Sequence, residues 1–417
     1  MRRRFVRSAL LSLLAGVSLT AAFAQPSKPA PTPKPTLAMA LDAAWARSLE
    51  SAESRGQLGL AAAERRVAEA WLAGAPALEM SQRQGRGAAA AGARETEVGI
   101  QLPLWHFGQR QLGSQAAQVE QDWALAAEQA ARLRLLGQLR ELSGGLHAAQ
   151  VELQAADLQV NLLQQLSFDV DRRVKAGDLA PADALAAKAE WLSAKSLASE
   201  AAQALLAQAS AWRLLTGFDV EPAPEPAGDG LAGAQAQQHP AQRLLELGVE
   251  RARQRVALGQ AQRGAQPELG ISLRQEQPGS GQSAQSSVAV SLRLPMGSIF
   301  GAEPPQKTQQ LAAALAEQGL ALAAAQRSQL QIEAEQALAR ARLQSTATQE
   351  ATERERAALL RERAQLLDKS FKLGETALPE LLRALNAAAQ ADAAAARQAA
   401  AHALALARAQ QTYGVFP

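Results

Sequence analysis

The sequence predicts a mainly α-helical chain with a small β part, built from two copies of one unit: a β-strand pair followed by a long coiled-coil helical hairpin. Three observations carry this. Ala, Leu, Gln, Glu and Arg dominate, a mixture that favours long helices, while aromatics make up only 4%, thin for a conventional globular core. Short segments recur in the same order at an offset that stays near 191–197 residues: Pro76–Met80 with Pro267–Ile271, Val98–Leu104 with Val290–Met296, and Gly177–Ala180 with Gly374–Ala377. Four segments alternate polar and apolar residues with the period of a strand.

The first segment sets the compartment. Arg2, Arg3, Arg4 and Arg7 precede an apolar stretch from about Ala9 to Ala22, and Ala22-Phe23-Ala24 is a small-x-small cleavage site. Residues 1–24 are therefore expected to be a secretory signal peptide, with Gln25 the first mature residue. Those four arginines belong to the 43 Lys+Arg of the chain, so the rest holds 39 against 40 Asp+Glu and is close to neutral. No basic stripe points to nucleic acid. There is no cysteine, which excludes disulfides, thiolate metal sites, a Cys nucleophile and a lipid on an N-terminal Cys. Residues 25–36, carrying Pro26 to Pro35, read as an extended Pro-rich leader.

The first repeat is predicted over 37–216. A helix runs from Leu37 to about Ala73, strands follow at about 77–84 and 94–104, and two long helices meet at a glycine turn at Gly177. After Trp105 the pattern is helical to Ala176; about 70 residues at 1.5 Å each span on the order of 100 Å. Leu158, Leu162, Leu166, Val170 and Val174 form a candidate seam, and Gly144-Gly145 a predicted bend. The return helix, Pro181 to Thr216, is shorter, so the first helix of the unit is expected to fill the remaining path. A linker at 217–240 carries Pro222, Pro224 and Pro226, which cannot continue a helix. The second repeat, 241–417, repeats the plan: a helix to about Arg263, strands at about 267–276 and 287–296, helices Pro305 to Leu373 and Leu378 to Thr412, and a turn at Gly374.

In the strands, Leu78 and Met80; Thr96, Val98, Ile100 and Leu102; Leu269, Ile271 and Leu273; and Val288, Val290, Leu292 and Leu294 fall on one face, with Glu, Arg, Gln, Ser and Gly on the other. Such a face either packs on a helical core or meets lipid around a wet lumen. The export signal favours lipid. Four strands cannot close, and an open edge in lipid leaves backbone groups unpaired, so the lipid reading demands an oligomer sharing one barrel. Trp105, Phe107 and Phe300, just past the second strand of each pair, are the candidate interface aromatics, which puts the loops Gly85–Gly92 and Gly279–Ser287 outside the cell.

No run of eighteen uncharged apolar residues follows the signal. His106, His147, His239 and His402 are scattered, and no phosphate loop or nucleophile elbow appears, so no metal site, cofactor or catalytic residue is expected and the chain is not read as an enzyme.

Thr36–Leu41 opening the mature domain, Leu102-Pro103-Leu104-Trp105 closing a strand pair, Arg173–Gly177 leading to Asp183, and Lys372-Leu373-Gly374 leading to Glu380-Leu381-Leu382 together resemble the TolC-type outer-membrane efflux proteins over essentially the whole mature chain. Asp42–Arg47 and Arg172-Arg173 look closer to members of metal-resistance systems. The resemblance implies a homotrimer with a twelve-stranded β-barrel in the outer membrane, continued by a periplasmic α-helical barrel. It implies a passive exit duct for metal ions, drugs or other small molecules in a tripartite efflux system, opened by a periplasmic adaptor (membrane fusion protein) and an inner-membrane pump. Gly177, Asp178, Leu179, Ala180, Asp183 and Leu185 would form one periplasmic tip, and Gly374, Glu375, Thr376, Ala377, Glu380 and Leu382 the other, as adaptor contacts. The competing readings are a periplasmic adaptor and a structural coiled-coil envelope protein. An adaptor would have one hairpin rather than two, and a structural coiled coil would not need strands at the same place in each copy.

Overall fold

The computed structural model describes residues 34–86, 92–223, 225, 238–261, 266–279, 283–295 and 305–417. The signal peptide, most of the leader, much of the linker, Phe300 and the centres of both strand loops lie outside them. Elements run α1 (Leu37–Arg47), α2 (Leu49–Glu69), β1 (Ala77–Gln84), β2 (Arg94–Pro103), α3 (Gln109–Ala176), α4 (Pro181–Thr216), α5 (Pro240–Ala261), β3 (Glu268–Gln277), β4 (Gln285–Arg293), α6 (Pro305–Lys372) and α7 (Leu378–Thr412). The chain is mainly helical, with one antiparallel sheet in the order β1-β2-β3-β4.

The two copies are matched in length as well as order. Both α3 and α6 have 68 residues, roughly 100 Å each. Each hairpin is held by buried residues at seven-residue spacing, mostly alanines: Ala187, Ala194 and Ala201 on α4, Leu163 and Val170 on α3, Ala357, Ala364 and Phe371 on α6. A strict seven-residue seam gives left-handed pairing, and alanine lets the axes approach closely. Above the hairpins, Ser54, Ala61 and Ala68 of α2 are buried as α2 packs on α3, where Ala117, Ala124 and Ala131 repeat the spacing. α5 lies against both α3 and α6. The first helices of the units thus cover the length of α3 and α6 that the shorter return helices leave bare.

The first predicted helix is two. Ser48 ends α1 and caps α2: its backbone N–H donates to Trp45 O at 3.1 Å and its hydroxyl accepts from Ser51 N at 3.1 Å. On its side of the break α1 joins a hydrophobic core in which Leu37, Leu41 and Ala44 bury against Leu136, Leu139 and Trp212. There Arg140 is buried and pairs with Glu225 at 2.8 Å, while also donating to Gln411 Oε1 and Val415 O. Asp42 pairs with Arg132, whose guanidinium lies over the Trp45 ring.

Gly144-Gly145 does not interrupt α3, which is continuous from Gln109 to Ala176. The glycines make room instead. A Cβ on Gly144 would meet Leu404 Cδ1 at 2.6 Å, and one on Gly145 would meet Gln208 Oε1 at 3.0 Å, so α7 and α4 approach α3 from two sides there. Gly144→Val is expected to overpack this crossing and cost about 1–3 kcal/mol, read as a lower unfolding midpoint with secondary structure retained.

Candidate functional site

Two regions carry the functional question: the sheet, and the end of the hairpins farthest from it.

The registry sorts the sheet into rows. Leu102, Leu269 and Leu292 make the row nearest the helices; Leu78, Ile100, Ile271 and Val290 the next; Met80, Val98, Leu273 and Val288 the third. The fourth is Gln82, Thr96, Gln275 and Ser286, so Thr96 stands at the polar margin of the apolar band. Leu294 follows β4 and is exposed. Most of these side chains are open; Leu78, Met80, Val288 and Val290 are each 70% or more exposed. Among the described residues no helix packs on either face of the sheet. A sheet folded onto a helical core would show the opposite. The other face is polar and internally paired: Arg274 bridges Glu95 at 3.0 Å and Glu97 at 3.2 Å, Ser272 Oγ donates to Glu97 at 2.8 Å, and Arg293 meets Glu268 at 3.5 Å. Among the described residues both edges, β1 and β4, lack a further strand partner.

At the other end, the two turns are built alike. Gly177 (φ 90°) and Gly374 (φ 82°) adopt the left-handed conformation that ends a helix. Asp178 N donates back to Arg173 O at 2.9 Å, and Glu375 N to Ser370 O at 3.0 Å. Asp183 accepts from Ala180 N and caps α4; Thr376 Oγ1 donates to Ser370 Oγ at 2.7 Å. One core joins the tips: Leu163, Val170, Leu179 and Trp191 pack with Phe371, Leu378, Leu381 and Leu382. Arg173 adds a link between hairpins, its guanidinium 5.0 Å above the Phe371 ring and paired with Asp169 at 3.1 Å. Leu382 is therefore buried and Leu179 half-buried. Gly177, Asp178, Ala180, Leu185, Gly374, Glu375, Ala377 and Glu380 face outward, with Asp183 and Thr376 half-buried beside them.

The leucine seam on α3 divides. Val170, Leu166 and Val174 join the tip core, but Leu158 and Leu162 are exposed and line an open groove of about 780 Å³ between α3 and α6, floored by α7. Each step of four residues turns about 40° around a helix, so a row of five drifts across two faces. Arg361 on the groove rim is held charged by its hydrogen bond to Asp392, which raises its pKa.

Two features had no counterpart in the sequence reading. Within the tip half, α4 packs on α3, α3 on α7, and α7 on α6, while α4 and α6 do not touch. These outer helices carry exposed leucines in heptad steps: Leu185 and Leu192 on α4, Leu359 and Leu366 on α6, with Leu373 just beyond. Each lies two residues from a buried alanine of the same helix (Leu192 beside Ala194, Leu366 beside Ala364), about 200° around the axis. They therefore point away from the hairpin partner, toward the open edge. The other feature is Trp71, 90% exposed beneath the sheet. Trp105 turns inward, its indole donating to Ala70 O at 3.0 Å.

Among the described residues no three His, Cys, Asp or Glu side chains cluster as metal ligands, and no helix is long and apolar enough to cross a membrane. His239 caps α5, its Nδ1 accepting from Ala241 N at 3.2 Å, and burial pushes its pKa below the ordinary value. His402 meets Thr346, and His147 faces Glu221.

No known protein-family profile matches the sequence, and no curated protein matches it. Solved structures do. The outer membrane protein VceC from Vibrio cholerae superposes with a TM-score of 0.69 at 17% identity, over 91% of this chain and 97% of that one. A membrane protein from Pseudomonas aeruginosa gives 0.71 at 17%, over 91% and 90%. The open state of the MtrE outer membrane channel of Neisseria gonorrhoeae gives 0.67 at 17%, over 92% and 89%. The fold is that of the TolC-type outer-membrane channels.

Proposed function

We propose that this chain, with its TolC-type fold, is one protomer of a homotrimeric outer-membrane channel, the passive exit duct of an efflux system for metal ions or other small molecules. The observation that carries it is the sheet: three apolar rows uncovered on one face, a paired polar face on the other, and two open edges. Lipid outside and water inside suits both faces, and further copies of the chain would satisfy the edges. Three copies would supply twelve strands; one supplies too few to close.

The long hairpins give reach across the periplasm. In this reading the driving energy belongs to a separate inner-membrane pump, and a periplasmic adaptor would engage the outward residues of the two tips. The uncovered sheet disfavours a periplasmic adaptor or a purely structural coiled coil, which would bury or lack it.

Membrane fractionation with size analysis tests this: the protein should sediment with outer membrane and run as a trimer, and a soluble periplasmic monomer would refute it. The tips are tested separately. A Cβ at Gly177 or Gly374 meets open space, so the strain of a left-handed backbone is the whole cost, about 1–2 kcal/mol per site. Gly177→Val with Gly374→Val should leave trimers intact and reduce efflux of a transported compound severalfold; unchanged efflux would remove the tips from function.

A further inference from the structure

The apolar band of the sheet is short. Its three rows span roughly 14 Å between outer Cα positions, against about 25 Å for the lipid-facing band of a barrel. On the loop side the rows turn to Gln and Ser, so any continuation must lie on the helix side.

Two segments cross there, 70–76 entering β1 and 104–108 leaving β2. They are pinned together: Trp105 Nε1 donates to Ala70 O at 3.0 Å, Ala73 N to Pro103 O at 3.0 Å, and Arg110 Nη2 to Glu69 O at 2.9 Å. From this belt Trp71 and Phe107 stand into solvent, 90% and fully exposed, with Val67 open one turn below. An aromatic side chain presents about 150–250 Å² of surface, so two left in water on a pinned loop are costly. Exposed Arg66 and Arg110 lie on the adjoining ends of α2 and α3. Aromatic surface continuing an apolar band, edged by guanidinium groups, matches the headgroup layer of a phospholipid leaflet: rings at the ester level, cations on phosphate.

We propose that Trp71 and Phe107, with Arg66 and Arg110, form a phospholipid-headgroup anchor that seats the channel at the periplasmic leaflet. The assignment rests on the barrel reading above. It moves the interface from Trp105, whose indole is engaged by Ala70, to Trp71.

The chain contains no cysteine, so single-cysteine labelling needs no background removal. Trp71→Cys, Phe107→Cys, Val290→Cys and Leu206→Cys, each carrying a small fluorophore, would be assembled in nanodiscs of phosphatidylethanolamine and phosphatidylglycerol. Quenching by lipids with a nitroxide at the headgroup or deep in the acyl chain reads depth. Position 290 should be quenched best by the deep lipid and 206 by neither. Positions 71 and 107 should be quenched about twofold better by the headgroup lipid than by the deep one. If 290 is reached but 71 and 107 respond only to a water-soluble quencher, the anchor is wrong and the barrel stands. If 290 is reached while 71 and 107 respond to no quencher, they are buried against a second copy and the anchor is equally wrong. If 290 is not reached by lipid, barrel and anchor fall together.

Discussion

Val98→Arg combined with Val290→Arg is expected to abolish assembly in the outer membrane. Val290 lies in the second, central apolar row and Val98 in the third, and their side chains leave the face with no helix over it. An arginine at the lipid midplane costs about 2–4 kcal/mol and less toward the interfaces; three copies of the double variant would place six on the lipid face, three of them in the central row. The total is comparable with the stability of most folds. The control is Ser81→Arg with Ser291→Arg, the same added charge on the opposite face. Ser81 pairs across from Glu97, so its arginine gains an acidic neighbour in water. The first pair should leave the chain soluble or degraded, while the second assembles normally; the amount of trimer in the outer-membrane fraction decides. Equal behaviour of the two pairs would mean that the faces are not chemically distinct in place, and the lipid assignment would fall.

What the sequence disclosed depended on whether a feature has one physical cause or several. Strand parity has one: period two with Val98, Ile100, Val288 and Val290 in phase marks a face, and the registry puts those four side chains in adjoining rows. Glycine at a helix end also has one, since only the left-handed conformation explains Gly177 and Gly374 between two long helical patterns. Glycine inside a helix has at least two. Gly144-Gly145 reads equally as a bend or as a close approach, and only Leu404 and Gln208 in place show the second. Ser48 was legible in principle as a cap, but helix-favouring sequence runs on both sides of it and the break needs only one residue. The two tryptophans by the sheet look interchangeable in sequence; the hydrogen bond to Ala70 O distinguishes them. The leucine stripes of α4 and α6 were invisible for a different reason. An apolar row announces burial without naming what buries it, and here the same helices carry a buried alanine row facing the hairpin partner and a leucine row left exposed among the described residues.

Those stripes predict how copies meet. Leu185 and Leu192 lie 8 and 15 residues after Gly177; Leu366 and Leu359 lie 8 and 15 residues before Gly374. The turns share one core, so the two pairs stand level on opposite edges of the helical row. The α6 edge of one copy therefore fits the α4 edge of the next, antiparallel and in register, and a head-to-tail contact of this kind closes into a ring. Each leucine buried there contributes about 1.5–3 kcal/mol. Leu192→Glu alone should remove that contribution, add a buried charge at every interface, and shift the purified protein from trimer to monomer in size analysis at micromolar concentration, with helicity unchanged. Leu359→Lys should do the same. The double variant restores a partner for each charge and should recover much of the trimer, an outcome that general misfolding could not produce. Failure of the pair to rescue, with both single variants folded, would show that these two edges do not face each other in the assembly.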